Sequence, residues 1–276
     1  MKSILTLLLL ASFSFISLAQ DLTFNQKTGA IHHFNPALVG AQTDFGLQTN
    51  YQNQWTSLPA NYQNGRLLTH YNLNNNLGFA LDINYQQASI LEQTEIKLNT
   101  NYFKKYRHLE TRYGLNIGLG QAQLNSESLK YEDQIEPTGG FTGTTAEPFE
   151  NDPAYYLTID LGIASFYKGF LLGVAAHQIN EPNVSALANN TSKRPTRIVA
   201  NLGYTYSLDH FHIAALSTLQ NQNTFTTWEN QLVAQYHFLK LGAGYRTTYG
   251  EFINTNQVSG SCGIQFEKFS LGYSFE

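Results

Sequence analysis

The chain has 276 residues, with charged side chains at 13%, aromatic ones at 13% and a formal net charge of -4 at pH 7. A soluble domain carries roughly 25% charged residues, so this composition is a poor match to an ordinary soluble exterior. A net negative chain offers no electrostatic case for nucleic acid as a partner, and Cys262, the single cysteine, excludes an internal disulfide.

Residues 1–19 read as a secretory leader. Lys2 supplies the positive start, Ile4 to Ile16 is an apolar core, and Ser17-Leu18-Ala19 gives small residues at the cleavage positions, so the mature chain would begin at Gln20. No other stretch approaches 18 consecutive apolar residues, and no transmembrane helix is expected. Residues 20–41 lack alternation and contain Asn35-Pro36, where proline removes a ladder donor. They read as an irregular lead-in with a place in the lumen, and 42–276 reads as the wall of a barrel.

From Thr43 onward the pattern is that of two-faced strands. Phe45, Leu47, Thr49 and Tyr51 share one face, and a second strand runs from about Gly65 to Leu73. The third sets Leu77, Phe79, Leu81, Ile83 and Tyr85 against Gly78, Ala80, Asp82 and Asn84, and the fourth sets Ile96, Leu98, Thr100 and Tyr102 against Glu95, Lys97, Asn99 and Asn101. A fifth follows at 113–120, then a long irregular stretch from Gln121 to Pro153. Strands resume around Tyr155–Ile163 and Phe170–Ala176, break for a loop at Ile179–Pro195, and continue to the terminal Lys268–Glu276 segment. Polar and charged residues on the inner face, with apolar and aromatic ones outside, predict an all-β fold: a transmembrane antiparallel β-barrel of about 12–14 strands in an outer membrane. Thirteen strands can be counted, and the even number usual for single-chain barrels points to one missed near 121–153 or before Thr43.

The chemistry-bearing residues form no catalytic or metal pattern: there is no GxSxG, HExxH, P-loop or cysteine zinc motif. His210 and His212 share a strand face without a third ligand. No enzyme activity and no cofactor are expected. Asp82, Glu95, Lys97 and Asp160 are predicted to face the lumen, either as plain lumen electrostatics or as a selectivity constriction.

Short motifs along the whole mature chain resemble the PorP/SprF family of outer-membrane proteins, associated with the type IX secretion system of Bacteroidetes. Gln20-Asp21 with Phe24 and Gln26 is similar to the family's opening, with Asn25 in place of its usual Ser. Asn35-Pro36-Ala37 with Gly40 resembles its N-P-A-x-x-G segment, and Asn53-Gln54-Trp55 with Leu58-Pro59 resembles its N-Q-W…L-P, with Gln52 where an Arg is usual. Asp133-Gln134-Ile135 with Gly140-Phe141, His177 with Glu181-Pro182-Asn183, and the ending Gly272 to Glu276 resemble further family segments in the right order. The resemblance makes Asn35, Pro36, Gln54, Trp55, Pro59, Asp133, Gln134, His177, Pro182 and Asn183 candidates for structure or partner docking. It implies a non-enzymatic barrel in contact with outer-membrane lipid and type IX components. Such a barrel assists secretion or surface attachment of a large partner, such as a gliding-motility adhesin, that carries a C-terminal sorting domain. A porin or transporter for small solutes is the other function the barrel pattern allows.

Overall fold

The structure is a computed structural model that describes residues 30–55, 61–73, 76–125, 134–135, 153–186, 190–250 and 254–276. The leader at 1–19, the start of the lead-in, Pro59 and Asp133 lie outside the described residues. Thirteen strands form one sheet. The first five are β1 (Phe45–Gln54), β2 (Tyr62–Asn72), β3 (Leu77–Ala88), β4 (Leu91–Tyr106) and β5 (Leu109–Leu124). Next come β6 (Ala154–Tyr167), β7 (Phe170–His177), β8 (Arg197–Leu208) and β9 (Phe211–Gln222). The last are β10 (Phe225–Tyr236), β11 (Leu239–Tyr249), β12 (Asn254–Gln265) and β13 (Ser270–Phe275).

Every strand pairs antiparallel with its sequence neighbours, an up-and-down meander. The burial pattern identifies its solvent. Residues that point inward are polar and buried, among them Asn64, Arg66, Asp82, Glu95, Asn99, Asn116, Asp160, Asn201 and Glu229. Residues that point outward are large, apolar and exposed: Leu98 is 65% exposed and Leu119 69%. A soluble sheet cannot leave a continuous apolar outer face in water; a bilayer requires one. No helix among the described residues is long and apolar enough to cross a membrane.

Connections sort by end. At one end lie the turns after the even-numbered strands, with two-residue links at 107–108, 168–169, 209–210 and 237–238. Left-handed backbone at Arg107, Lys168, Asp209 and His237 tightens each of these, as two-residue hairpins demand. The opposite end carries the long connections 125–153 and 178–196, beside two-residue links at 89–90 and 223–224. In outer-membrane barrels short turns face the periplasm and long loops the exterior.

One strand expectation needs correction. The fifth strand extends to Leu124 rather than ending at Gly120, because Gln121 and Ala122 pair with Tyr155 and Ala154 of β6. The thirteen strands fall within the expected 12–14, and among the described residues neither 30–44 nor Gln134–Ile135 adds a further strand to the sheet. With thirteen strands, β1 and β13 run in the same direction, and no β1–β13 pairing occurs among the described residues.

Candidate functional site: a lumen plug and its charged roof

Residues 30–41 form two single 3₁₀ turns, Ile31–His33 and Pro36–Leu38, joined at Asn35. Proline suits the first position of the second turn, where its missing N–H is no loss. Asn35 caps that turn, its Oδ1 accepting from the N–H of Ala37 at 2.9 Å. The segment is packed inside the sheet as a plug. Val39 packs against Leu68 of β2 and Ala80 of β3, Phe34 against Ala175 of β7 and Val199 of β8, and Leu38 joins a cluster with Ala164 of β6, Leu171 of β7 and Leu216 of β9. A segment that touches β2 through β9 at once requires those strands to curl around it.

Glycines make the seat. Gly114 of β5 lies directly against the backbone of Pro36 and Ala37, and a Cβ there would stand 2.6 Å from Pro36 O. Gly162 of β6 and Gly173 of β7 lie against the Asn35 side chain in the same way. Their missing side chains are a slot in which Asn35 Nδ2 donates to Ile163 O at 3.0 Å and to Val174 O at 3.3 Å. Four plug carbonyls accept from wall side chains, as buried backbone favours. Asn99 Nδ2 donates to Pro36 O at 3.1 Å, Arg112 Nη1 to Val39 O at 3.2 Å, Asn72 Nδ2 to Gly40 O at 3.0 Å and His177 Nε2 to Phe34 O at 3.1 Å.

Toward the long-loop end the plug is roofed by a buried ionic network. Lys97 Nζ lies 3.2 Å from both Glu95 Oε2 and Asp160 Oδ2. Asp160 also accepts from Asn116 Nδ2 at 3.1 Å and from the Gln178 N–H at 2.9 Å. Arg66 grips Asp82 through two nitrogens, a bidentate arrangement that orients as well as attracts. Arg194, from the loop after β7, donates to Glu95 Oε1 at 2.8 Å and to Gln93 Oε1 at 2.6 Å. Asn99 donates to Asn116 Oδ1 at 2.5 Å, so a chain of polar contacts runs from the plug carbonyl Pro36 O through Asn99, Asn116, Asp160, Lys97 and Glu95 to a long loop. Beside the plug this leaves a cavity of about 30 Å³ lined by His32, Arg66, Asp82, Lys97, Asp160 and their neighbours, room for roughly one water. His32 belongs to the plug rather than to a crossing strand; burial, and then Arg66, hold its imidazole well below the ordinary range.

The candidates read from the sequence fall in three places. Asn35, Pro36, His177, Asp82, Glu95, Lys97 and Asp160 meet in the plug and its roof. Pro182 is buried in the loop after β7, and Asn183 pins that loop, its Oδ1 accepting from Ser192 N–H at 2.7 Å. Gln54 ends β1 opposite Tyr62, and Trp55 follows it, 62% exposed with left-handed backbone. Gln134 is described and half-buried. Missed from the sequence were Arg66, Asn99, Arg112, Asn116 and Arg194, which complete the bonding, and the three seat glycines. Each wall residue among these sits at an inward position of its strand, and that parity was the available signal. His210, in a turn, stacks on His237 with ring centres 4.4 Å apart.

A family model described as type IX secretion system membrane protein PorP/SprF matches residues 16–276. The chain belongs to this family. A search of curated proteins gave no match. The PorP/SprF assignment covers nearly the whole chain, and with the outward apolar face it identifies an outer-membrane β-barrel of the type IX secretion system. The N-P-A segment that marks the resemblance is the part of the chain seated in the glycine slot.

Proposed function

We propose that this PorP/SprF barrel is a non-enzymatic docking protein that assists secretion or surface attachment of a large partner carrying a C-terminal sorting domain. The observation that carries the reading is the plug. The lumen beside β2 to β9 holds residues 30–41 and a bonded charge network, and the cavity they enclose is only about 30 Å³, which favours work at the loops over solute passage. Loops held on a rigid scaffold are a common recognition surface. Here the loop after β7 is tied to the roof through Arg194 and is pinned internally by Asn183. The leader at 1–19 fits export of the chain to the same membrane.

Deleting the gene and profiling the cell surface tests this. The expected result is loss of one or a few large surface proteins with C-terminal sorting domains, restored by the wild-type gene. An unchanged surface proteome overturns the proposal.

A further inference from the structure

On the lipid-facing side of β4 to β6 the register places an unusual polar row. Lys104 pairs with Thr111, and Thr111 with Ser165. Lys104 shares its face with Thr100, Tyr102 and Tyr106, Thr111 with Tyr113, and Ser165 with Leu161 and Ile163, by strand alternation. The face is the outer one, since Tyr102, Tyr113, Leu161 and Ile163 are all exposed. Thr111 Oγ1 and Ser165 Oγ lie 3.4 Å apart, and exposed Lys104 holds its Nζ 4.8 Å from the centre of the Tyr106 ring.

A cation and two hydroxyls on a lipid-facing surface have a desolvation cost that only a polar ligand or an interfacial position offsets. The interfacial condition is met at this row, and a groove beside it has room for a ligand's acyl chain. The row lies two residues toward the tight-turn end from the stacked Tyr102–Tyr113 pair, whose ring centres are 6.5 Å apart, and tyrosines mark the headgroup level of a bilayer. On the other side of that pair, toward the membrane middle, lies an apolar groove of about 570 Å³. Thr100, Leu115, Leu161, Ile163, Val174 and Ile198 are among its walls, and the seat glycines Gly114 and Gly162 lie in its floor. From Thr100 to Lys104 the strand rises about 13 Å, which sets a long acyl chain and its headgroup in line.

We infer that this face binds one anionic glycerophospholipid of the tight-turn leaflet. Its phosphate sits against Lys104, Thr111 and Ser165, and an acyl chain runs past Tyr102 and Tyr113 into the groove. The charge row selects a phosphate and the groove selects the chain, so neither an apolar molecule nor free phosphate uses the whole site. Lys168, held 5.4 Å from the centre of the Tyr167 ring on the same rim, adds positive charge two strands away.

The test is native mass spectrometry of the detergent-purified full chain offered phosphatidylglycerol or diacylglycerol with the same acyl chains. Wild type is expected to retain one phosphatidylglycerol and about tenfold less diacylglycerol. Lys104→Gln is expected to lower phosphatidylglycerol retention about tenfold and leave diacylglycerol unchanged. Ala176→Trp, which fills the groove from its outer face, is expected to lower both; heat-modifiable gel mobility shows that each variant remains a folded barrel. Equal retention of the two lipids by wild type, or phosphatidylglycerol retention unchanged in Lys104→Gln, overturns the site.

Discussion

Gly114→Val is expected to unseat the plug while leaving the wall assembled. A valine side chain at this position would occupy the space of the Pro36–Ala37 peptide, which is backbone and has no rotamer to move aside. Overpacking of this kind costs about 1–3 kcal/mol, and more when the neighbour is rigid. Asn35 would then leave its two carbonyl partners on β6 and β7, and Asn99 and Arg112 would lose theirs on the plug. The pairings of Gly114 with Asn101 and Gly162 involve backbone alone and persist. Hydrogen exchange reads the difference: the Ala37 amide, protected in wild type by Asn35 Oδ1, should exchange about 10- to 100-fold faster in the variant. Amides in the middle of β5 and β6 should keep their protection. Unchanged exchange at Ala37 would show that the seat does not hold the plug.

Asp160→Ala is expected to produce the largest loss of stability from a single side chain. Asp160 is 1% exposed and is met by Lys97, Asn116, the Gln178 N–H and, at 3.5 Å, by His177 Nδ1. Removing it leaves Lys97 buried beside Glu95 alone of its two close carboxylates and strips the backbone tie to the loop after β7. Breaking one side of a buried pair costs about 3–5 kcal/mol, mainly through the charge left behind. Denaturant unfolding of the barrel in detergent should show that loss. Combining Asp160→Ala with Lys97→Met should cost clearly less than the sum of the two single changes, because the orphaned cation is gone as well. Additive effects would contradict the network.

Much of the wall was legible because lipid and lumen impose opposite chemistry on alternate residues. In β4, Glu95, Lys97, Asn99 and Asn101 against Ile96, Leu98, Thr100 and Tyr102 leave one assignment of faces, and the structure has it. Strand ends were less legible. Tyr62 and Gln63 belong to β2 ahead of Gly65, and Gln121 to Leu124 belong to β5, since pairing with a neighbour extends a strand past the point where its own alternation fades. Of the plug, the sequence revealed the irregularity of Asn35-Pro36 and the family motif around it. It did not reveal the seat, because Gly114, Gly162 and Gly173 look like ordinary small inward residues until register sets Gly114 opposite Gly162 and brings Gly173 to the diagonal, opposite Ala164. The roof was half visible for a related reason. Strand parity turns Asp82, Glu95, Lys97 and Asp160 inward, but only the fold shows that Arg194, far along the chain and in a loop, reaches Glu95.

The docking account places the partner at the long-loop end, and site-specific photo-crosslinking in living cells tests that placement. A photoreactive residue at Val184 or Ser192, in the loop pinned by Asn183, is predicted to capture a large secreted protein through its C-terminal domain. The same group at Arg107, in a tight turn at the opposite end, is predicted to leave that protein uncaptured. Capture at Arg107 with none at the loop positions, or no secreted protein captured at any of the three, would contradict the account.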